Sequence, residues 1–181
     1  MDAESRAPFC GSAPFCGHVL FQHGSWNIQG KQAEQSFAYL QASASDFDVL
    51  SLQEVSLTFP LEAGHHEFIQ YSSYGYTLLA AHPKGCHRPV AIAFDVDSIQ
   101  DICRVIVGHS HVSALVKVKG LDSLVLVCSV HLPHSKRPYD EFVDGLHSLQ
   151  EDLQFRPDVP GLVAGDLNYP LTGQLGARSH T

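Results

Sequence analysis

Leu124-Val125-Leu126-Val127-Cys128 is apolar at every position, and no other stretch of this chain restricts its fold as tightly. Successive side chains of a strand point to opposite faces, so a strand apolar at every position needs cover on both. That demands a sheet lying inside a layered molecule, with material packed above and below it. The neighbouring segments agree. Ile102–Val107, Val112–Val118 and Leu124–Leu132 form a run of β-type segments joined by Gly and Ser turns.

Further strands are expected at His18–Trp26, Asp48–Gln53, Tyr76–His82, Pro89–Phe94 and Gly161–Leu167. Helical spacing puts Ala33, Phe37, Leu40 and Ala44 on one face of a helix over Lys31–Ser45. A second amphipathic helix is expected over Asp140–Gln154, with Phe142, Leu146, Leu149 and Leu153 along one side. Strands dominate and helices are placed to cover sheets, so the expected class is an α/β or α+β layered sandwich. No Gly-rich loop precedes a helix, which argues against P-loop and dinucleotide folds. Met1–Gly17 contains the near-repeat Ala7-Pro8-Phe9-Cys10-Gly11 and Ala13-Pro14-Phe15-Cys16-Gly17. With no helical or strand period, residues 1–17 read as a flexible leader ahead of a domain spanning 18–181.

A chain that is 44% hydrophobic and 17% charged can build a real core. No apolar run reaches membrane-spanning length, and the N-terminus lacks the basic start and apolar centre of a secretory signal. The expectation is a soluble, intracellular protein of the nucleus or cytoplasm. Eleven Lys plus Arg against 19 Asp plus Glu give a net charge of −8, which argues against a broad basic face for nucleic acid. It leaves room for an enzyme that grips one phosphate through a metal, because a divalent cation reverses the local charge. Five cysteines cannot all pair internally, and Cys103 and Cys128 in apolar runs read as reduced core residues. Cys10, Cys16, His18 and His23 lack the second cysteine pair and the spacing of a zinc knuckle.

Four polar clusters fall at the ends of expected strands: Ser25–Gly30, Asp48–Val55, Ser129–Leu132 and Gly165–Asn168. In layered α/β proteins such strand ends converge on one site. Their carboxylates and amides suit a hard cation, and their imidazole suits proton transfer or charge stabilisation. Each has an ordinary explanation when taken singly. Asn27 before Gly30 fits a turn, Glu54 a helix cap, His131 a hydrogen-bonded core histidine, and Asp166 with Asn168 an Asx turn. Their joint occurrence at strand ends favours function.

The motifs Trp26-Asn27-Ile28-Gln29-Gly30, Leu52-Gln53-Glu54-Val55, Val130-His131-Leu132 and Gly165-Asp166-Leu167-Asn168, in this order, resemble those of the endonuclease/exonuclease/phosphatase family. Trp-Asn-Ile-Gln-Gly together with His-Leu-Pro-His resembles the retroelement-type endonucleases within it. The resemblance implies a four-layer sandwich of two sheets flanked by helices, with the site at one edge. It implies that Glu54 binds a catalytic Mg²⁺ with Asn27 beside it, Mn²⁺ being able to substitute. Asp166 would orient and help deprotonate the attacking water, and Asn168 would hold a phosphate oxygen. His131 would stabilise or protonate the phosphoryl group as the leaving oxygen departs. Arg88, Lys136 and Arg137 lie in loops near strand ends, where they would contact flanking substrate phosphates, or serve only as solvated charges.

The pattern breaks after Asn168. The family closes with an Asp-His pair on a loop beyond further strands, whereas here Ser179 precedes His180 and Thr181 follows. The expectation is a domain incomplete at its C-terminus, lacking its last strands and last catalytic segment. Two functions therefore compete: an Mg²⁺-dependent phosphodiesterase acting on DNA as a retroelement-type endonuclease, and a catalytically inactive truncated fragment of that domain. A phosphatase of the same family is the further alternative.

Overall fold

The computed structural model describes residues 9–15, 19–42, 47–58, 61–64, 67–133, 139–154 and 159–168. Two sheets stack face to face with a helix on each outer face, giving the four layers expected. The first sheet has six strands in the order β1 (Phe9–Phe15), β2 (Val19–Asn27), β3 (Val49–Gln53), β6 (Val90–Asp95), β5 (Tyr76–Ala81) and β4 (Phe68–Ser73). The second runs β10 (Gly161–Asp166), β9 (Leu124–His131), β8 (His111–Val118) and β7 (Ile99–Val107). Most pairs are antiparallel, but β2 with β3 and β9 with β10 are parallel.

Three apolar clusters hold the layers together. Between the sheets lie Phe21, Val49, Leu79, Ile92 and Phe94 against Val112, Ala114, Val116, Val125 and Val127. Outside the first sheet, helix α1 (Ala33–Ala42) lays Ala33, Phe37 and Leu40 on Leu50, Leu52, Leu78 and Ala91. Outside the second, helix α2 (Tyr139–Gln154) covers Cys128, Val130 and Leu132. Strands β3 and β9 are thus sandwiched on both sides, which accounts for the burial of all of β3 and of β9 from Val125 onward.

Four features differ from the sequence reading. Phe9–Phe15, inside the expected leader, pair antiparallel with β2 along their whole length. Pro14 is compatible with this because β1 is an edge strand, where a missing backbone donor is tolerated. Phe68–Ser73, assigned no structure from the sequence, forms edge strand β4, anchored where the Tyr71 hydroxyl donates to Glu34 at 2.8 Å. Cys103 is exposed, because β7 is the outermost strand of its sheet.

The buried stripe of α2 is also rotated. Leu146 is 38% exposed, while Phe142 and Leu149 pack inward. Gly145 takes the inward position between them: a Cβ there would lie 2.9 Å from both the Leu132 side chain and the Ser110 hydroxyl. The missing side chain lets the helix settle onto the sheet. Leu153 shows nothing either way, its side chain lying outside the described residues.

Urea unfolding of two variants checks this rotation. Leu149→Ala should cost roughly 2–4 kcal/mol, as for a buried leucine, and Leu146→Ala less than about 1 kcal/mol. Equal losses would place the helix face wrongly.

Candidate active site

Parallel strands end at the same edge, and the two parallel pairs of this fold bring four C-terminal ends together. In β2 and β3 the register partners are Asn27 and Gln53, with Glu54 following at once. The ladder continues past the strands, as the Ile28 and Gly30 amides donate to the Gln53 and Glu54 carbonyls at 3.0 and 2.7 Å. In β9 and β10 the terminal partners are His131 and Asp166, and the Leu132 amide donates to the Asp166 carbonyl at 2.9 Å. Backbone register therefore sets the side-chain constellation.

Asn27 joins the two sheets. Its amide nitrogen donates to Glu54 Oε1 and to Asp166 Oδ2, each at 3.0 Å, while its carbonyl oxygen accepts from the Gln29 amide at 3.0 Å. The two carboxylate oxygens can be no farther apart than those two bonds laid end to end. His131 completes the group, with Nε2 3.7 Å from Glu54 Oε1 and the ring almost wholly buried. Asn168 lies just behind: its backbone amide donates to Asp166 Oδ1 at 3.0 Å and its side-chain amide to the Leu132 carbonyl at 2.7 Å.

Local backbone geometry aims these groups. Glu54, Asn168 and Gln29 have φ of 55°, 53° and 53°, in the left-handed region that non-glycine residues seldom occupy. Asn tolerates it, whereas at Glu54 it costs of order 1 kcal/mol or more and turns the carboxylate out of the sheet toward Asn27. Gly165 is required for a different reason. A Cβ there would lie 1.9 Å from the Val130 carbonyl oxygen, so only glycine lets β10 approach β9 beside Asp166.

Of the remaining sequence candidates, Arg88 reaches the rim. A Cβ on Gly30 would lie 1.5 Å from its Nη1, which means the guanidinium rests on the Gly30 backbone next to the Glu54 turn. Lys136 and Arg137 lie outside the described residues.

The sequence reading missed a polar network behind the site. The inner face of β2 presents His23, Ser25 and Asn27 in succession. Ser25 donates to Gln53 Oε1 at 3.4 Å, Gln53 donates across to Ser129 Oγ at 3.2 Å, and His23 Nε2 lies 3.0 Å from Ser51 Oγ. A cavity of about 540 Å³ opens beside it, walled opposite by Val163, Gly165 and Asp166. Gln53 was the available signal: an amide in an otherwise apolar, doubly covered strand needs a polar partner.

The donor set fits a hard divalent cation. No three His, Cys, Asp or Glu side chains gather as a ready metal cluster among the described residues. Two carboxylates and one amide do converge, and Mg²⁺ commonly takes one or two carboxylates and completes its shell with water. The Asn27 amide protons now supply the positive charge those carboxylates share.

Residues 24–178 match the sequence model of the Endonuclease/Exonuclease/phosphatase family. An endonuclease/exonuclease/phosphatase family protein from Bacteroides thetaiotaomicron superposes with a TM-score of 0.56 at 15% identity, covering 93% of this chain and 67% of that one. The human Nocturnin catalytic domain with bound sulfate gives 0.56 at 16%, covering 84% and 66%. The endonuclease domain of TRAS1, a telomere-specific non-LTR retrotransposon, gives 0.55 at 14%, covering 84% and 62%. At such identities the likeness is one of fold, and this chain spans about two thirds of the length of those structures. No curated protein matches it.

Burial lowers the pKa of His23 from 6.5 to about 4, so the folded state holds it neutral. Between those values the unfolded chain binds the extra proton, so stability is full above pH 6.5 and falls as pH drops toward 4. The loss should approach roughly 3 kcal/mol, and His23→Gln should flatten it in melting curves run across that window.

Proposed function

This chain belongs to the endonuclease/exonuclease/phosphatase family, and we propose that it hydrolyses phosphodiester bonds of DNA with Mg²⁺, as an endonuclease of the retroelement type. Hydrolases of this family depend in general on a divalent metal ion. The observation that carries the proposal is the single amide of Asn27 bonded at once to Glu54 and Asp166, groups from three distant segments and both sheets. Structural polar clusters seldom draw two carboxylates onto one donor at the end of four strands, since like charges there repel. The retroelement likeness is supported by the motif flavour and by the TRAS1 endonuclease domain, which shares this fold.

Glu54 and Asn27 would hold the metal, which when bound neutralises phosphate charge and makes its water a better nucleophile. Asp166, fixed by the Asn168 amide at one oxygen, accepts a proton from the attacking water at the other. Asn168 keeps a second amide proton for a non-bridging phosphate oxygen, its first being held by Leu132. As the new P–O bond forms and the old one breaks, His131 donates the proton that the leaving oxygen takes up. Arg88, laid over Gly30, contacts the next phosphate along the strand, as would Lys136 and Arg137, which follow His131 in the sequence. No helix among the described residues is long and apolar enough to cross a membrane.

Nicking of supercoiled plasmid in Mg²⁺ or Mn²⁺ tests the reading. Asp166→Ala and Glu54→Ala should each lower the rate at least about 100-fold, equivalent to roughly 2.7 kcal/mol of barrier. Undiminished cutting by either variant would show that the site lies elsewhere. A folded native chain that nicks nothing would favour an inactive fragment or a phosphatase. Separately, saturating Mg²⁺ should raise the melting temperature of the native chain and not that of Glu54→Ala, since a ligand bound only by the folded state stabilises it.

A further inference from the structure

The two sheets pinch together just behind the site. Face-to-face sheets usually stand roughly 10 Å apart, a gap filled by side chains from both. Here a serine crosses it. Ser129 Oγ, on β9 of the second sheet, donates to the backbone carbonyl of Leu52, on β3 of the first, at 3.2 Å. A hydroxyl one bond beyond its Cβ touches the opposite main chain only where the sheets come close.

The bonds at the pinch fix one another. A hydroxyl has one proton and a carbonyl can only accept, so the Ser129 proton goes to Leu52. Ser129 therefore accepts from Gln53, whose Nε2 lies 3.2 Å away. That orients the Gln53 amide and turns its Oε1 to the Ser25 hydroxyl, which donates to it at 3.4 Å. Gln53 and Ser129 are both buried. Packing alone gives no reason for an amide here, because apolar side chains of the same shape would be nearly neutral or stabilising.

The groups of the candidate site surround this pinch. Glu54 follows Gln53 directly, and the Gln53 carbonyl accepts from the Ile28 amide, next to Asn27, at 3.0 Å. Ser129 stands two residues before His131 on the same face of β9, and its register partner Ala164 stands two before Asp166. Two contacts of the site then span the gap that the pinch sets: Asn27 to Asp166 at 3.0 Å and His131 to Glu54 at 3.7 Å.

We propose that Gln53 is a positioning residue: bonded to Ser129, its amide holds the sheets at the separation where Asn27 reaches Asp166 and His131 reaches Glu54. Its effect on turnover rests on the nuclease reading above; its effect on Asn27 does not.

Gln53→Met, Ser129→Ala and their double variant provide the test. Val118→Ala, a buried change at the opposite end of the second sheet, is the control. Side-chain amide NMR is read first. In the native chain the Asn27 amide protons, bonded to two carboxylates, should resonate away from the position of a free amide. They should move toward it in Gln53→Met and in Ser129→Ala, and stay in Val118→Ala. Unmoved Asn27 resonances in whichever of the two single variants folds overturn the proposal. Plasmid nicking is read second, at a temperature where each variant is fully folded. In each single variant kcat should fall about tenfold or more with KM within about twofold, since slight misplacement slows the chemistry without weakening binding. The double variant should lose no more than the worse single one, because both changes remove the same bond. Losses that multiply in the double variant, or an equal loss in Val118→Ala, reduce Gln53 to a packing role and overturn the proposal. If the Asn27 resonances move while the native chain nicks nothing, the positioning stands and the nuclease reading fails.

Discussion

Everything at the edge that carries the candidate active site depends on one amide standing between two carboxylates. Like charges held this close in a protein interior repel by a few kcal/mol, and nothing in their own strands would keep Glu54 and Asp166 facing one another. The Asn27 side chain does so from β2, bonding to a residue of its own sheet and to one of the opposite sheet. Register carries that contact into the backbone. Because β2 runs parallel to β3 and β9 parallel to β10, neither carboxylate can slip without unzipping a ladder.

The space between the sheets changes character along its length. Away from the edge it is filled by Val, Leu, Ile and Phe; toward the edge the inner face of β2 turns polar through His23, Ser25 and Asn27. Buried polar groups are tolerable only when bonded, and Gln53 meets that need by reaching from one sheet to Ser129 on the other. The polar end therefore clamps the sheets where the apolar packing thins.

The sequence exposed those parts of the molecule where local pattern and burial agree. Leu124–Cys128 could only be a doubly covered strand, and the face of α1 through Ala33, Phe37 and Leu40 followed from spacing alone. The four motif ends were equally readable, though their meeting point was not: nothing local says that Asn27 bonds Asp166 rather than water. Failures came where a residue acts by lacking something. Gly145 turns α2 because it has no side chain, so a count of apolar positions favoured Leu146 in error. Edge strand β4 was hidden because its side chains are alternately exposed, β1 because its Pro- and Gly-punctuated near-repeat shows no strand period, and Cys103 looked buried from neighbours whose strand proves to be outermost. Register and edge position are settled by partners distant in sequence.

Glu54 sits in a backbone conformation that nearly any search for sturdier variants would erase. Glycine or asparagine at this position relaxes the turn, and a library sorted only for heat resistance would be expected to drift toward them. Each would remove the carboxylate that faces Asn27. If Glu54 holds the metal as proposed, selection for durability and selection for turnover would pull this one codon in opposite directions.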